Sequence, residues 1–393
     1  MNSNLQQLFA IAQKKQRMII GLMSGTSLDG LDIALCRFSG SGLQTQFELL
    51  EFETMVYDDF FRNEVRQVFS KKIVDLEKLT LLNAYIGNFH GELILQCLKK
   101  WQVKTASVDL IASHGQTIYH APKHQHQQKN YPNATLQIGD GDHLAVKTGI
   151  ITLSDFRQKH LAAGGEGAPL ALYGDVILGS KKGENRLLLN LGGIANFTFL
   201  PADASFSQVI STDVGPGNTL IDAACRKYFD LPFDEDAKFA LSGNVNLELL
   251  AVLKAHPFFE EALPKSTGPE LFNLEFVQAA QQKSSTQQIN SADLIATLTV
   301  FTAQILAESI LQNFPADLNI FVSGGGARNP FLMQLLQELL PKSSIQNSDD
   351  LGLNADAKEA VLFALLANEA VAGEPIIINQ NPAVLMGKFS FPV

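Results

Sequence analysis

The chain has 393 residues, of which 46% are hydrophobic and 18% are charged. This length exceeds what one hydrophobic core usually supports, so we expect a globular protein with two domains. The formal net charge of −10 argues against a polyanionic partner such as DNA or RNA, although a small anion can still bind locally.

The three cysteines, Cys36, Cys97 and Cys225, lie far apart and form no CxxC pair. This spacing argues against a disulfide framework and favours a reducing compartment, so we expect a cytoplasmic protein. The first residues lack the basic start and long apolar run of a signal peptide and instead predict a short amphipathic helix. No stretch approaches the roughly 20 uninterrupted apolar residues of a membrane span, so we expect no membrane partner.

Residues 18–38 predict two buried strands joined by a short turn, residues 24–30, that is rich in serine, threonine and glycine. Glycines let the backbone approach a ligand closely, so that successive N–H groups and hydroxyls can point at one anion. Asp29 suits such a turn if Mg²⁺ accompanies a phosphate, because carboxylates hold that cation against nucleotide oxygens. The alternative is a hairpin turn of the same composition without a ligand.

Two further groups of polar residues follow in the first half of the chain. Residues 110–112 predict a buried strand that ends in the polar cluster 113–117, where open α/β sheets keep their ligands. A helix is expected to begin near Asp142, whose side chain would cap it. Arg157 follows another predicted strand, where it could reach a carboxylate or phosphate in a cleft or form a surface ion pair. We interpret the histidine-rich segment 122–132 as a solvated surface insertion rather than a metal site.

The second half repeats the opening design. Residues 186–200 predict an apolar strand, a tight turn at Gly192 and Gly193, and a second strand, which suggests a duplicated fold whose halves clamp a nucleotide phosphate tail. Asp213 is expected at the end of a later strand, above a glycine turn. A carboxylate there could act as a general base or a metal ligand, or it could merely cap a helix.

A third glycine turn comes near the end of the chain. A long amphipathic helix is predicted over 291–311, followed by a buried strand, the turn Gly324–Gly326 and another helix from Asn329. Without side chains in this turn a flat base or ribose can lie against the backbone, while the helix N-terminus favours phosphate oxygens.

Ten sequence blocks together resemble, in order, one family: the anhydro-N-acetylmuramic acid kinases of the actin, hexokinase and Hsp70 ATPase superfamily. The blocks are GLMSGTSLDGLDIAL at 21–35, SHGQTIYH at 113–120, DFR at 155–157, GGEGAPL at 164–170, NLGGIANFT at 190–198, DVGPGN at 213–218, PKSTG at 264–268, FN at 272–273, VSGGGARN at 322–329 and EA at 359–360. One departure is Glu166, which stands where the resemblance leads us to expect glutamine.

The resemblance implies a two-lobed α/β fold of the actin and hexokinase type, in which each lobe has a mixed sheet with flanking helices and the nucleotide lies in the cleft between them. We expect residues 1–155 to form the N-terminal lobe, with residues from about 376 to 393 packed back on it. Residues 156–375 would form the C-terminal lobe.

The resemblance also implies an ATP-dependent kinase of cell-wall recycling that acts as a homodimer. Such an enzyme opens the 1,6-anhydro ring of anhydro-N-acetylmuramic acid with water and phosphorylates O6, giving N-acetylmuramate 6-phosphate and ADP. Two alternatives are an ATP-binding regulator or chaperone-like ATPase of the same fold, and a hexokinase-like kinase of an ordinary free sugar.

By this resemblance Asp213 is the catalytic base, Asp29 contacts Mg²⁺, and Arg157, Asn218 and Glu359 contact the sugar. The nucleotide-binding residues are in the three glycine turns: Gly25, Thr26, Ser27, Leu28, Asp29, Gly30, Leu31, Asp32, Gly192, Gly193, Gly324, Gly325 and Gly326.

Overall fold

The computed structural model of the chain describes residues 2–168, 170–351, 356–379 and 381–393. The chain divides into two compact units. Unit 1 comprises Met1–Leu178 with Asp356–Val393, and unit 2 comprises Gly179–Ala355. These boundaries differ from the predicted ones, because the segments 156–178 and 356–375 lie in unit 1 and not with the second half of the chain.

Both units have an α/β architecture, as predicted. The strands within the described residues are β1 Gln16–Ser24, β2 Gly30–Ser39, β3 Gln46–Val56, β4 Leu110–Ala121, β5 Ala134–Ile138, β6 Thr152–Ser154, β7 Arg186–Leu191, β8 Ile194–Leu200, β9 Ile210–Pro216, β10 Asn319–Ser323, β11 Ser344–Asn347 and β12 Lys388–Ser390. The α-helices are α1 Ser3–Ala12, α2 Asp59–Arg66, α3 Leu76–Lys100, α4 Lys123–His126, α5 Gly141–Thr148, α6 Phe156–Ala162, α7 Ala171–Gly179, α8 Thr219–Phe229, α9 Lys238–Ser242, α10 Leu247–Lys254, α11 Leu274–Lys283, α12 Ser291–Asn313, α13 Pro330–Leu339 and α14 Lys358–Ala372.

The sheet of unit 1 has the strand order β12-β6-β4-β1-β2-β3, with β5 paired to β4 outside this path. Its first three strands form an antiparallel meander, whereas β4 runs parallel to β1 and β6 runs parallel to β4. The sheet is therefore mixed, and both strands of the β1–β2 hairpin are interior strands, because β4 and β3 flank them.

The sheet of unit 2 has the strand order β11-β10-β7-β8-β9. Here β7, β8 and β9 form the antiparallel meander, β10 is parallel to β7, and β11 is parallel to β10. This order repeats the β6-β4-β1-β2-β3 part of unit 1 strand for strand. The predicted duplication is thus confirmed as a repeat of the whole sheet order and not only of one glycine hairpin.

Helix α14 explains why the end of the chain belongs to unit 1. It packs directly on β1 at Gly21, where an added Cβ would lie 1.9 Å from the carbonyl oxygen of Ala360. Helix α7 packs on α14 in turn, because a Cβ at Gly174 would lie 2.8 Å from Leu362 Cδ1. Two segments that were predicted for the second lobe are therefore part of the core of unit 1.

Several helices begin at a capping side chain, which fixes their first residues. Helix α5 is capped by Asp140, whose Oδ1 accepts hydrogen bonds from the N–H groups of Asp142 and His143 at 3.0 and 3.1 Å. The predicted cap, Asp142, is instead inside the first turn of this helix. The other side-chain caps are Asn2, Asp58, Asp75, Asn246, His256, Asn273, Asn290 and Asn329.

Among the described residues one helix, α12, is long and apolar enough to span a membrane by length and composition alone. However, 78% of its most apolar window is buried inside the protein, where it packs in the core of unit 2. Burial of this kind is typical of a core helix.

Candidate functional site

The turn between β1 and β2 packs against the core of unit 1 on one side and is exposed to solvent on the other. Leu28, near its middle, is only 2% exposed and packs in the core of unit 1, and its backbone has a positive φ of 60°. Its carbonyl accepts a hydrogen bond from Arg62 Nε at 3.2 Å. Thr26, Ser27 and Asp29 are exposed. The turn therefore presents its two hydroxyls and one carboxylate to solvent.

Not every residue predicted to bind nucleotide in this stretch has a side chain available for it. Leu31 is fully buried in the core of unit 1, as Leu28 is. A Cβ at Gly30 would lie 2.7 Å from the carbonyl oxygen of Met55, so this glycine is needed for strand packing. Only the backbone of these three residues can contribute to a ligand site.

Carboxylates gather beside the turn. Asp32 accepts a hydrogen bond from Thr54 Oγ1 at 2.6 Å, yet burial, and to a lesser degree Asp356 and Asp29, raise its pKa. Neighbouring protein atoms partly desolvate the carboxyl of Glu359, and this, together with Asp32, raises the pKa of Glu359. The result is a concentration of negative charge that a cation would relieve.

This donor set fits a magnesium ion that arrives with a nucleotide. Mg²⁺ is usually held by one or two carboxylates together with phosphate oxygens and water. Asp29 is exposed at the turn, and it is close enough to Asp32 to raise the pKa of that carboxyl. Within the described ranges, no group of three or more His, Cys, Asp or Glu side chains could hold a metal by itself.

Arg157 lies in the first turn of α6 and not at the end of a strand, as had been predicted. Its Nε donates to His114 Nε2 at 3.1 Å and its Nη1 donates to the carbonyl of Gly167 at 2.7 Å. Burial lowers the pKa of Arg157, while the nearby carboxylate of Glu359 opposes that effect. Arg157 and Glu359, both predicted to contact the sugar, are therefore near each other in unit 1, and Arg157 is not a simple surface ion pair.

Unit 2 brings two of its predicted glycine turns together. The carbonyls of Gly192 and Gly193 accept hydrogen bonds from the N–H groups of Asn218 and Gly217 at 2.9 and 2.8 Å. The Asn218 side chain donates from Nδ2 to the carbonyl of Leu191 at 2.9 Å. Asn218, predicted to contact the sugar, thus uses its side-chain amide group to join the β7–β8 turn to α8.

The glycine turn after β10 packs against Asn190 and Leu191, at the end of β7. Gly324 has a φ of 85°, and a Cβ there would lie 2.7 Å from Asn190 Oδ1. A Cβ at Gly326 would lie 2.7 Å from Leu191 Cβ. At Gly325, in contrast, the nearest atom would be 3.7 Å away. Two of these glycines therefore permit close packing of the protein, and Gly325 alone has room above it for a ligand.

Asp213 is in the interior of β9, which continues to Pro216, and not at a strand end as predicted. Its Oδ2 accepts hydrogen bonds from Ser266 Oγ at 3.0 Å and from the Thr267 N–H at 2.9 Å. In the part of the chain that the structure describes, nothing donates a hydrogen bond to Oδ1. The helix-cap alternative is wrong, because the residue at the start of α8 is Asn218. Asp213 is a half-buried carboxylate with one oxygen fixed and the other available.

Comparison with known proteins decides which family has this site. A family model described as anhydro-N-acetylmuramic acid kinase matches residues 17–383. The chain belongs to the anhydro-N-acetylmuramic acid kinase family. Proteins of that name from Pseudoalteromonas atlantica and Pseudoalteromonas translucida are 52% and 50% identical over 100% of both chains. A third, from Caldanaerobacter subterraneus, is 39% identical over 98% of this chain and 100% of the relative.

Solved structures give more distant matches. The activator of the 2-hydroxyisocaproyl-CoA dehydratase from Clostridium difficile, with bound ADPNP, is 10% identical with a TM-score of 0.40, covering 90% of this chain and 95% of that one. A ROK hexokinase from Thermus thermophilus is 14% identical with a TM-score of 0.35, covering 89% and 99%.

Membership of the anhydro-N-acetylmuramic acid kinase family makes the chain an enzyme of the kinase class. It does not favour the regulator, the chaperone-like ATPase or the kinase of an ordinary free sugar that the sequence left as alternatives.

Some residues of this family member were missed by the sequence analysis. Ser266 and Thr267 were noted only as part of the PKSTG block, although they hold the carboxylate of Asp213. Gln116 was placed in a cluster at a strand end, but β4 continues to Ala121 and Gln116 is inside it, fully buried. The signal available in the sequence was the presence of polar residues beside an apolar strand. Polar groups that are buried in a sheet need hydrogen-bond partners elsewhere in the protein.

Proposed function

We propose that the chain uses ATP to phosphorylate 1,6-anhydro-N-acetylmuramic acid while water opens the anhydro ring. The observation that carries this proposal is the geometry of Asp213. Ser266 Oγ and the Thr267 N–H fix one carboxylate oxygen, so the other keeps a defined direction in which it could hold a water molecule. A general base must be oriented in this way to take a proton during attack.

The bonds of the proposed reaction balance as follows. Water oxygen forms a bond to the anomeric carbon, one water proton passes to Asp213, and the C1–O6 bond breaks with its electron pair on O6. O6 forms a bond to the γ-phosphorus as the bond from phosphorus to the bridging oxygen of ADP breaks. Asp213 then releases its proton to solvent. The products are N-acetylmuramate 6-phosphate and ADP.

The remaining site residues divide between nucleotide and sugar. Thr26, Ser27 and the backbone of residues 25–32 would hold phosphate oxygens, and Asp29 would hold a Mg²⁺ that offsets the charge of the phosphates. The Gly192–Gly193 turn would be the second phosphate turn, and Gly325 would lie against the adenosine. Arg157 and Glu359 would position the sugar. Exclusion of water by a closed site would limit wasteful ATP hydrolysis.

A coupled ADP-release assay with ATP and Mg²⁺ tests the proposal. It compares the anhydro sugar with N-acetylmuramic acid, N-acetylglucosamine and no sugar. We expect release only with the anhydro sugar, and a product heavier by one phosphate group and one water. Equal release with every sugar or none would favour an ATP-binding regulator or chaperone-like ATPase. Release with the sugars that lack a bridge would favour an ordinary sugar kinase.

Replacement of the base gives a second test. We expect Asp213→Asn to lower kcat by about 10²- to 10⁴-fold, because the amide cannot accept the water proton. Asp203→Asn is the matched control, since Asp203 is exposed and, within the described part of the chain, its side chain accepts a hydrogen bond only from the nearby Ser205 N–H. Equal kcat values for Asp213→Asn and the unsubstituted enzyme would exclude Asp213 as the base.

A homodimer, which follows from the resemblance, and a cytoplasmic location, which follows from the cysteine spacing, complete the proposal. Light scattering on the purified protein would give twice the chain mass of 42.9 kDa for a homodimer. Fractionation of cells that produce the protein would place it in the cytoplasmic fraction.

A further inference from the structure

A chain of four buried polar side chains lies beneath the first phosphate turn. Its members are His90, Tyr57, Ser24 and Gln116, and none is more than 1% exposed. His90 Nε2 is 2.9 Å from the Tyr57 hydroxyl, which is 2.8 Å from Ser24 Oγ, which is 2.5 Å from Gln116 Oε1. The other end of the Gln116 amide, Nε2, lies 3.3 Å from the carbonyl oxygen of Gly25.

The donor and the acceptor can be assigned for every hydrogen bond among these four side chains. Gln116 Nε2 also lies 3.3 Å from the Thr117 carbonyl, and two carbonyls can only accept, so the NH₂ group must be at this end. Gln116 Oε1 then accepts from Ser24. Each hydroxyl has one proton, so Ser24 must accept from Tyr57 and Tyr57 must accept from His90. All donors point from His90 toward Gly25.

The two ionisable members of this series, His90 and Tyr57, do not change protonation under ordinary conditions. Burial lowers the pKa of His90 to about 3, so its imidazole is neutral and its single N–H is on Nε2. Burial raises the pKa of Tyr57, so its hydroxyl keeps its proton. The Tyr57 ring is also fixed, because it stacks on Phe61 with ring centroids 3.9 Å apart.

Gln116, the last of these four side chains, sets the orientation of the Gly25–Thr26 peptide group. The Gly25 carbonyl accepts from Gln116 Nε2 and also from the Leu28 N–H at 3.4 Å, so it points toward the sheet. In a trans peptide the C=O and N–H of the same group point in opposite directions. The N–H of Thr26 therefore points away from the sheet. Among the described residues nothing accepts a hydrogen bond from it.

We propose that Gln116 is a positioning residue that holds the Gly25–Thr26 peptide with its N–H toward a phosphate oxygen of the nucleotide. Tyr57 and Ser24 keep the Gln116 amide in the required orientation. This inference rests on the proposed function, because it assigns the first turn to nucleotide phosphates. Backbone N–H groups that are fixed before binding cost no reorganisation when the anion arrives.

The test replaces Gln116 by methionine, which is uncharged, of similar length and suited to a buried site. Gln137→Met is the matched control, because Gln137 is a half-buried residue of the neighbouring β5 whose side chain, among the described residues, donates only to Thr117 Oγ1 and Thr135 Oγ1. The dissociation constant for ATP with Mg²⁺ is measured by calorimetry, the KM for the sugar by ADP release, and folding by thermal denaturation. The unsubstituted enzyme is measured alongside.

We expect Gln116→Met to weaken ATP binding by about 10-fold or more, as a lost charge-assisted hydrogen bond does, with the sugar KM within about 2-fold. Unchanged ATP affinity, or an equal loss for ATP and sugar, would overturn the inference. If Gln116→Met does not fold, Tyr57→Phe decides: ATP binding about 3-fold weaker supports the inference, and unchanged binding refutes it. If the unsubstituted enzyme does not bind ATP, the proposed function itself fails.

Discussion

At the scale of single residues, the difference between a carboxylate and a catalytic base lies in what holds it. The sequence indicates Asp213 because aspartate precedes a glycine turn. It does not indicate that Ser266 and Thr267, more than 50 residues later in the printed sequence, supply two hydrogen bonds to the same oxygen. Contacts between residues far apart in sequence depend on the tertiary fold, so this half of the site required the structure.

The role of Ser266 can be tested separately from that of Asp213. Ser266→Ala removes one of the two donors to Oδ2 and leaves the Thr267 N–H, so we expect kcat to fall by about 10-fold. The loss should be smaller than in Asp213→Asn, and the thermal midpoint should stay close to that of the unsubstituted enzyme. Ser207→Ala, at an exposed position of the short 3-10 helix Phe206–Gln208, is the control. A kcat equal to that control would show that the Thr267 N–H orients the base unaided.

The raised pKa of Asp32, beside the turn between β1 and β2, predicts that the free energy of unfolding depends on pH. The pKa of Asp32 is raised in the folded protein, chiefly by burial. The folded state therefore binds more protons than the unfolded state as pH rises above about 4, and the free energy of unfolding falls with pH in that range. Asp32→Asn removes this contribution.

We accordingly expect Asp32→Asn to lose less free energy of unfolding between pH 4 and about pH 7 than the unsubstituted protein does. Urea denaturation at a series of pH values, without nucleotide or Mg²⁺, measures the difference. Asp32 also contributes to the raised pKa of Glu359, and its removal changes the pH dependence in the same direction. Parallel pH curves would therefore contradict the raised pKa of Asp32.

At the scale of elements, hydrophobic periodicity predicted the correct strand or helix wherever one pattern ran without interruption. The β1–β2 hairpin, the β7–β8 hairpin and helix α12 are where the sequence placed them. Strand β4 was predicted too short, because its polar residues 113–117 resemble a loop. In the structure, Ser24 donates a hydrogen bond to Gln116 inside the sheet. This polar pair stands where a buried strand usually has apolar residues.

Two glycines of unit 2 should respond differently to the same substitution. A Cβ at Gly217 would lie 2.3 Å from the Gly192 carbonyl oxygen, so Gly217→Ala must displace backbone where α8 meets the β7–β8 turn. We expect the free energy of unfolding to fall by about 1–3 kcal/mol or more. Gly325→Ala has open space and should change it by no more than about 1 kcal/mol.

The same pair tests the adenosine assignment. The methyl group of Gly325→Ala would stand where the nucleotide is proposed to lie, so ATP binding should weaken although folding is retained. Urea denaturation and calorimetric titration with ATP give the two quantities. Unchanged ATP affinity in Gly325→Ala would remove Gly325 from the nucleotide site.

At the scale of the whole molecule, the sequence predicted two units and the correct sheet type but not where the chain passes from one unit to the other. The predicted boundary after residue 155 followed the end of a strand. The actual boundary depends on α14, which packs on β1 at Gly21 although more than 330 residues separate Gly21 from Ala360 in the printed sequence. No local pattern reveals a contact of that range.

The division predicts how fragments will behave. Residues 179–355 form a contiguous unit with its own hydrophobic core, so we expect this fragment to fold alone and to unfold cooperatively. Residues 1–178 lack α14 and β12, and we expect them to be largely unfolded or aggregated. Circular dichroism with thermal denaturation distinguishes the outcomes. A cooperative transition in fragment 1–178 would show that α14 is dispensable for unit 1.

The return of α14 and β12 to unit 1 also has a consequence for synthesis on the ribosome. Unit 2 is contiguous and can fold as soon as it has left the exit tunnel, whereas unit 1, although its first strands emerge earliest, waits for α14 and β12. The order of folding is thus the reverse of the order of translation. The turn between β1 and β2 receives its final support only after α14 has been made, so we expect a nascent chain without α14 to lack the proposed nucleotide site.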